Sequence, residues 1–288
     1  MNRLPLPMIE FRTALEAAFQ GIADENRRDL HFSAFADFAQ LEKAYCDNAV
    51  AGSLHAMSRV ASGPADPVVL GGLHKSDLTA LYSKYFVPAE KPARRLYEAL
   101  KVTANGKCPL CGGVGHVRTL DHYLPKANFP LYSVLPKNLV PCCRDCNTEK
   151  LNSFALTADK QTLHPYFDAD RYFTERWVDA IVIVGKIPVI EFFAAPPSNW
   201  SDIEVSRAKA HFDAYGLAAK FSVEAAADLP ETIQTRVTTM AASTPEAFSS
   251  YLSEKSETLA LPVNHWRRVM FAALARDVWF CSQTFLQT

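Results

Sequence analysis

Cys108-Pro-Leu-Cys111 and Cys143-Arg-Asp-Cys146 are two Cys-x-x-Cys turns on either side of a short segment. Each turn offers two thiolates at a separation that suits zinc, and two turns complete a tetrahedral four-sulfur site. One pair alone is a weak signal, whereas two pairs around a short segment are a strong one. Cys142 blurs the register, but Cys143 and Cys146 repeat the spacing of the first pair, so Cys142 reads as a bystander. Between and beside the pairs stand Asp121-His122, Asn138-Leu-Val-Pro141 and Asn147-Thr-Glu-Lys150. Asp121 is a hard oxygen ligand for Mg²⁺ or a similar ion. His122 is a base of near-neutral pKa, suited to taking a proton from water. Asn147 directly follows a zinc ligand, so a bound zinc would fix the helix start and aim this amide oxygen at the same ion. Asn138 suits a supporting task, tethering a long loop and orienting His122. Alone, Asp-His is a surface pair and Asn138 a turn residue; in this order beside two cysteine pairs they read as one metal-activated hydrolytic site.

These residues need a hairpin and a helix to hold them. Val117 to His122 and Leu139-Val140 read as short strands, joined by a loop with Pro125, Pro130 and Pro136. Arg144 to Leu156 reads as a helix that starts at the second cysteine pair. Neighbouring strand side chains point to opposite faces, so a strand end or bulge must re-aim Asp121 or His122. Before this unit the chain reads as helices: Phe11, Leu15, Ala18 and Phe19 recur at helical spacing, as do Phe35, Phe38, Leu41 and Tyr45. Gly63-Pro64 and Gly71-Gly72 read as breaks, and a last helix through Arg94 and Leu100 runs into the turn signal Asn105-Gly106. After it, Trp177 to Val184 and Ile187 to Phe193 read as a hairpin. Ser201 can cap a helix that Gly216 ends, and further helices follow, with breaks expected near Pro230, Pro245 and Pro262. The expected fold is α+β and mostly α-helical: a helical region 1–104, a zinc-bound ββα unit with its connector over 105–170, and a hairpin with helices over 171–288.

The chain has 288 residues, 49% of them hydrophobic and 21% charged, which excludes a disordered protein. No apolar run is long enough to span a bilayer, and the first residues lack the pattern of a secretion signal. Seven cysteines, five of them clustered, suit thiolate ligands in a reducing compartment, and a cytoplasmic location is expected. The net charge of −1 advertises no nucleic-acid binding. Yet residues 101–152 carry seven Lys and Arg against three Asp and Glu, a local positive patch of the kind that meets phosphates. Lys126, Arg144 and Lys150 are its candidate contacts, and a merely solvated face explains them about as well.

Together, Cys108-x-x-Cys111, Asp121-His122-x-x-Pro125-Lys126, Asn138-Leu-Val-Pro141 and Cys143-x-x-Cys146-Asn147-x-x-Lys150 resemble the HNH, or ββα-metal, endonucleases over about fifty residues. The resemblance matches the family's first His to His122, its middle Asn to Asn138 and its last His or Asn to Asn147. It implies a DNA endonuclease with one catalytic Mg²⁺ or Mn²⁺ held by Asp121 and Asn147, and products with 5′-phosphate and 3′-hydroxyl ends. RNA remains an alternative substrate. The segment Leu163-His-Pro-Tyr-Phe-Asp168 resembles one that follows the catalytic helix in stand-alone bacterial HNH nucleases. It leaves two readings of His164 open: a further ligand of the metal or DNA, or a packed connector capped by Asp168. Flanking segments around Leu81-Tyr82, Arg94-Arg95 and Arg207 to Leu217 resemble the nuclease subunits of Septu-type and retron-associated anti-phage systems. That resemblance implies a defence role with an ATPase or other partner. The alternatives are a restriction, homing or RNA-directed nuclease, and a zinc-stabilised nucleic-acid- or protein-binding module without catalysis.

Overall fold

A computed structural model describes residues 1–61, 63–283 and 285. It falls into two compact units, one of residues 3–109 and 115–168, the other of residues 1–2, 110–114 and 169–288. About half of the chain is helical, and three two-stranded antiparallel sheets are formed among the described residues, which makes the fold α+β.

The first unit takes in both the N-terminal helices and the segment from 115 to 168. Helix α1 (Phe11–Gln20) buries Phe11, Leu15, Ala18 and Phe19, the stripe legible in the sequence. Phe19 meets Phe32 and Phe38 edge to face, at 5.4 and 6.2 Å between ring centres. Helix α2 (Glu25–Ser33) begins at Asp24, whose carboxylate accepts the Arg27 N–H at 2.9 Å. Helix α3 (Ala39–Val50) continues a 3₁₀ turn over Phe35–Phe38 and buries Tyr45. The Gly71-Gly72 break is the turn of an unforeseen hairpin, β1 (Val68–Leu70) with β2 (Leu73–His74). Gly71 sits at φ +52°, and a Cβ there would lie 2.6 Å from that of Ala34, so both backbone and space demand glycine. Helix α4 (Lys75–Ala80) runs into a π-helical turn over Leu81–Phe86 that buries Leu81, Tyr82 and Phe86. Helix α5 (Arg94–Val102) then packs against β3 (Thr119–His122) and β4 (Leu139–Cys142).

Strands β3 and β4 pair in unbroken antiparallel register, from Thr119 opposite Cys142 to His122 opposite Leu139. Helix α6 (Arg144–Lys150) packs on β3. It is shorter than the helix to Leu156 that the sequence suggests. Leu151 takes φ +47° and ends it, and neither Leu151 nor Leu156 finds apolar cover that would favour continuing. The chain turns instead to lay Phe154 edge-on against Phe129, at 5.2 Å between ring centres.

The second unit holds α7 (Arg171–Thr174), β5 (Val178–Ile183), β6 (Val189–Ala194), α8 (Asp202–Ala214), α9 (Leu217–Val237), α10 (Pro245–Ser256), α11 (Trp266–Arg276) and α12 (Val278–Ser282). Helix α9 packs on β6 and α11 on β5. Ser201 caps α8 reciprocally with Glu204, as its sequence signature suggests. Pro245 opens α10 behind the cap of Thr244. Pro230 does not break α9, contrary to expectation. It faces solvent, while Ala225, Leu229 and Thr232 are buried on either side of it, so packing holds the helix across the missing N–H. Among the described residues, no helix is long and apolar enough to cross a membrane.

Two buried polar residues fix this second unit. Asn264, only 1% exposed, accepts the N–H groups of Trp177 and Val178 at 2.8 and 3.1 Å and donates to the Glu175 carbonyl at 2.8 Å. Asn264→Ala strands three backbone groups and should cost about 2–4 kcal/mol in urea unfolding; a loss below about 0.5 kcal/mol would contradict this role. His211 is fully buried, with its Nε2 2.8 Å from the Leu110 carbonyl, and burial pushes its pKa down to about 3. The unfolded chain binds a proton at an ordinary histidine near 6.5 that the folded chain refuses. His211 therefore contributes stability that is full above about pH 6.5 and is lost as pH falls toward about 3. Between pH 7 and pH 5 the loss should be about 2 kcal/mol. His211→Gln should flatten the stability–pH slope by that amount, and an unchanged slope would refute it.

Candidate metal centre and hydrolytic site

The knuckle before β3 is built by backbone as well as sulfur. The Cys108 N–H donates to the Gly115 carbonyl at 2.9 Å, and the Val117 N–H to the Gly106 carbonyl at 2.9 Å. Gly112 and Gly113, at φ +65° and +93°, allow the tight return after Cys111. Cys143 is the N-cap of α6, and its sulfur accepts the Cys146 N–H at 3.4 Å. The sulfur atoms of Cys108, Cys111, Cys143 and Cys146 all lie within 4.8 Å of one another, and all four residues are buried. A tetrahedral zinc with bonds of about 2.3 Å needs sulfurs about 3.8 Å apart, so the cluster fits such an ion with small adjustments. Four buried cysteines close together could thus hold a metal such as zinc. Cys142 lies in β4 opposite Thr119 and outside this group. Burial pushes its thiol well above the ordinary range, so it stays a neutral core side chain.

Asp121 and His122 occupy the end of β3. β3 ends there without a bulge, and the Asp121 carboxylate bends along the chain so that Oδ1 accepts the His122 backbone N–H at 2.8 Å. Asp121 Oδ2 lies 3.3 Å from the Lys150 ammonium, which also donates to the His122 carbonyl at 2.6 Å. Burial raises the Asp121 pKa, and Lys150 and the His122 N–H oppose that shift. His122 Nε2 is 2.8 Å from the Ser133 carbonyl. A carbonyl only accepts, so Nε2 carries the hydrogen and Nδ1 keeps the lone pair. Burial pushes the His122 pKa down to about 3, which keeps the ring neutral at physiological pH but makes it a weaker base than the near-neutral imidazole expected from the sequence. The Tyr82 ring stands edge-on to the imidazole at 4.3 Å, with its hydroxyl donating to the Leu120 carbonyl at 2.7 Å.

Asn138 is fully buried and clamps the loop between the strands. Its Oδ1 accepts from the Leu124 N–H at 2.8 Å and the Tyr45 hydroxyl at 3.0 Å, and its Nδ2 donates to the Leu124 and Tyr132 carbonyls, both at 3.1 Å. His164 extends this network. Its Nδ1 accepts the Tyr166 N–H at 3.2 Å and its Nε2 lies 3.1 Å from the Tyr45 hydroxyl. Asp168 accepts the His164 N–H at 2.5 Å. Both ring nitrogens are thereby engaged with groups of the scaffold.

Asn147 is half-exposed on α6, one turn before Lys150 and on the same helix face. Arg144 is exposed and Lys126 half-buried, with its pKa lowered by burial. Lys150 differs from a solvent-facing phosphate contact: it is 8% exposed and paired with Asp121. Ser133, Tyr82 and Tyr45 were not singled out as site residues from the sequence. Tyr82 and Tyr45 carry only a helical apolar spacing there, and Ser133 acts through a carbonyl that any residue type would supply.

For a divalent ion, the chemistry of the donor set fits. A carboxylate has about four acceptor positions, of which the contacts above engage two at Asp121. Asp121 and Asn147 supply oxygens, the donor type Mg²⁺ and Mn²⁺ prefer.

Over 291 aligned residues the chain is 35% identical to protein ea31 of Escherichia phage lambda, covering 96% of this chain and 98% of that protein. The chain therefore belongs to the ea31 family. No family model matches it, and no solved structure does.

Metal analysis of the purified protein should find one zinc ion per chain. Cys108→Ser should lose it and unfold the knuckle at a cost of several kcal/mol, read as a lowered melting temperature. A fully folded protein with no bound zinc would contradict the four-sulfur site.

Proposed function

We propose that this protein is a divalent-metal-dependent endonuclease of the HNH type, acting on DNA. The observation that carries the reading is that Asp121 and His122 end β3 while α6, the helix packed on that strand, starts with two members of the four-cysteine cluster and bears Asn147 directly after the second. A binding module needs neither a proton-accepting imidazole nor a carboxylate at the same strand end. The unbulged ββα arrangement of β3, β4 and α6 supports the same reading.

The residues divide the work. Asp121 and Asn147 would hold the ion, which when bound supplies Lewis-acid polarisation of the scissile phosphate and relief of charge on the leaving oxygen. His122 accepts the proton of the attacking water at Nδ1. The Ser133 carbonyl holds the opposite ring nitrogen, so the tautomer and the ring direction are fixed before substrate arrives. Tyr82 packs the ring from the side and keeps it from turning. Asn138 holds the loop that carries Ser133. Arg144 and Lys126 add positive charge for the DNA backbone. A role in conflict between phage and host, with a partner that controls cutting, is compatible with the phage source of the relative.

Supercoiled plasmid incubated with the zinc-loaded protein should be nicked in Mg²⁺ or Mn²⁺ and spared in EDTA. His122→Ala should slow nicking by about a hundredfold or more. Equal nicking by both proteins would sink the assignment of His122. Metal-independent DNA binding without nicking by either would favour the zinc-stabilised binding module.

A further inference from the structure

The Lys150–Asp121 pair is an unusual neighbour for a cation site. Asp121 carries the negative charge that would attract a divalent ion, and the Lys150 ammonium already lies 3.3 Å from its Oδ2. Both side chains are about one-tenth exposed, 8% for Lys150 and 10% for Asp121, so solvent screens this pair weakly. An ion bound to that oxygen at about 2.1 Å would sit no farther than about 5.4 Å from the ammonium. Two cations so close in a sheltered site repel strongly. The ammonium's second anchor, the His122 carbonyl at 2.6 Å, is a neutral group and does not offset that repulsion.

We propose that Lys150 is the cation's place-holder: it neutralises Asp121 in the free protein, and a divalent ion binds only by displacing the ammonium. The inference rests on the nuclease reading and adds a competition built into its site. Lys150 is a positioning residue in this account. It holds the Asp121 carboxylate in place along β3 while no ion is bound, and it weakens the affinity of the free protein for the ion. A phosphate at the site would give the displaced ammonium a new partner.

The exchange is tested by Mn²⁺ binding to the zinc-loaded protein, read as the loss of the free-ion electron paramagnetic resonance signal at about pH 8. Lys150→Met and Lys150→Gln should each bind Mn²⁺ at least about tenfold more tightly than the unaltered protein. Asp121→Asn should abolish the binding. Unchanged or weaker binding in both Lys150 variants, with binding still lost in Asp121→Asn, would overturn the exchange and leave the cation site of the nuclease reading intact. Saturable binding in none of the four proteins would overturn both. Should the Lys150 variants fail to fold, the unaltered protein still decides. Its Lys150 side-chain ammonium nitrogen resonance should shift as Mg²⁺ is added, and a resonance indifferent to saturating Mg²⁺ would overturn the exchange.

Discussion

Four buried thiols within 4.8 Å of one another are a constraint that the surrounding structure must answer. As thiolates they repel, and only a shared cation turns that repulsion into a bond network. Two of the four belong to the first turn of α6, as its N-cap and its third residue. The cluster therefore determines where α6 starts, and with it the position of Asn147 and Lys150 relative to the end of β3. The Cys146 N–H on the Cys143 sulfur and the packing of α6 on β3 transmit that placement. The cysteines are a frame, and under the proposed function the reactive groups are the oxygens and the imidazole of the residues around it.

Around the imidazole the polar groups are connected throughout. Tyr45 links His164 to Asn138, Asn138 grips the loop at Leu124 and Tyr132, and Ser133 on that loop holds His122. Buried groups in such a chain rigidify their surroundings, because each broken link strands a partner away from water. The same burial that makes this arrangement firm keeps His122 neutral. A neutral ring with so low a pKa resists protonation, so this arrangement holds His122 firmly at the expense of its strength as a base.

Much of this was legible in the sequence because it rests on local chemistry. Thiolate spacing, the strand before Asp121, the cap at Ser201 and the helical stripe at Phe11 to Phe19 are all short-range signals. What was not legible depends on distant contacts. Lys150 reads as one more base in a positive segment until folding sets it against Asp121. Ser133 contributes a backbone carbonyl, which leaves no mark in residue type. Pro230 looks like a break until the buried residues either side of it are seen to hold α9 together. The hairpin at Gly71-Gly72 was hidden because its strands are two and three residues long and its turn glycines signal only an interruption. Leu151, a leucine at positive φ, ended α6 against its own propensity.

The central claim is that a sulfur-held metal frames a second, oxygen-held one. Anomalous diffraction from crystals of the protein grown with Mn²⁺ and a short DNA duplex addresses it most directly. The account predicts a zinc peak among Cys108, Cys111, Cys143 and Cys146, and a manganese peak between Asp121 and Asn147 with His122 beside the phosphate. A filled zinc site with no manganese at Asp121 would contradict it.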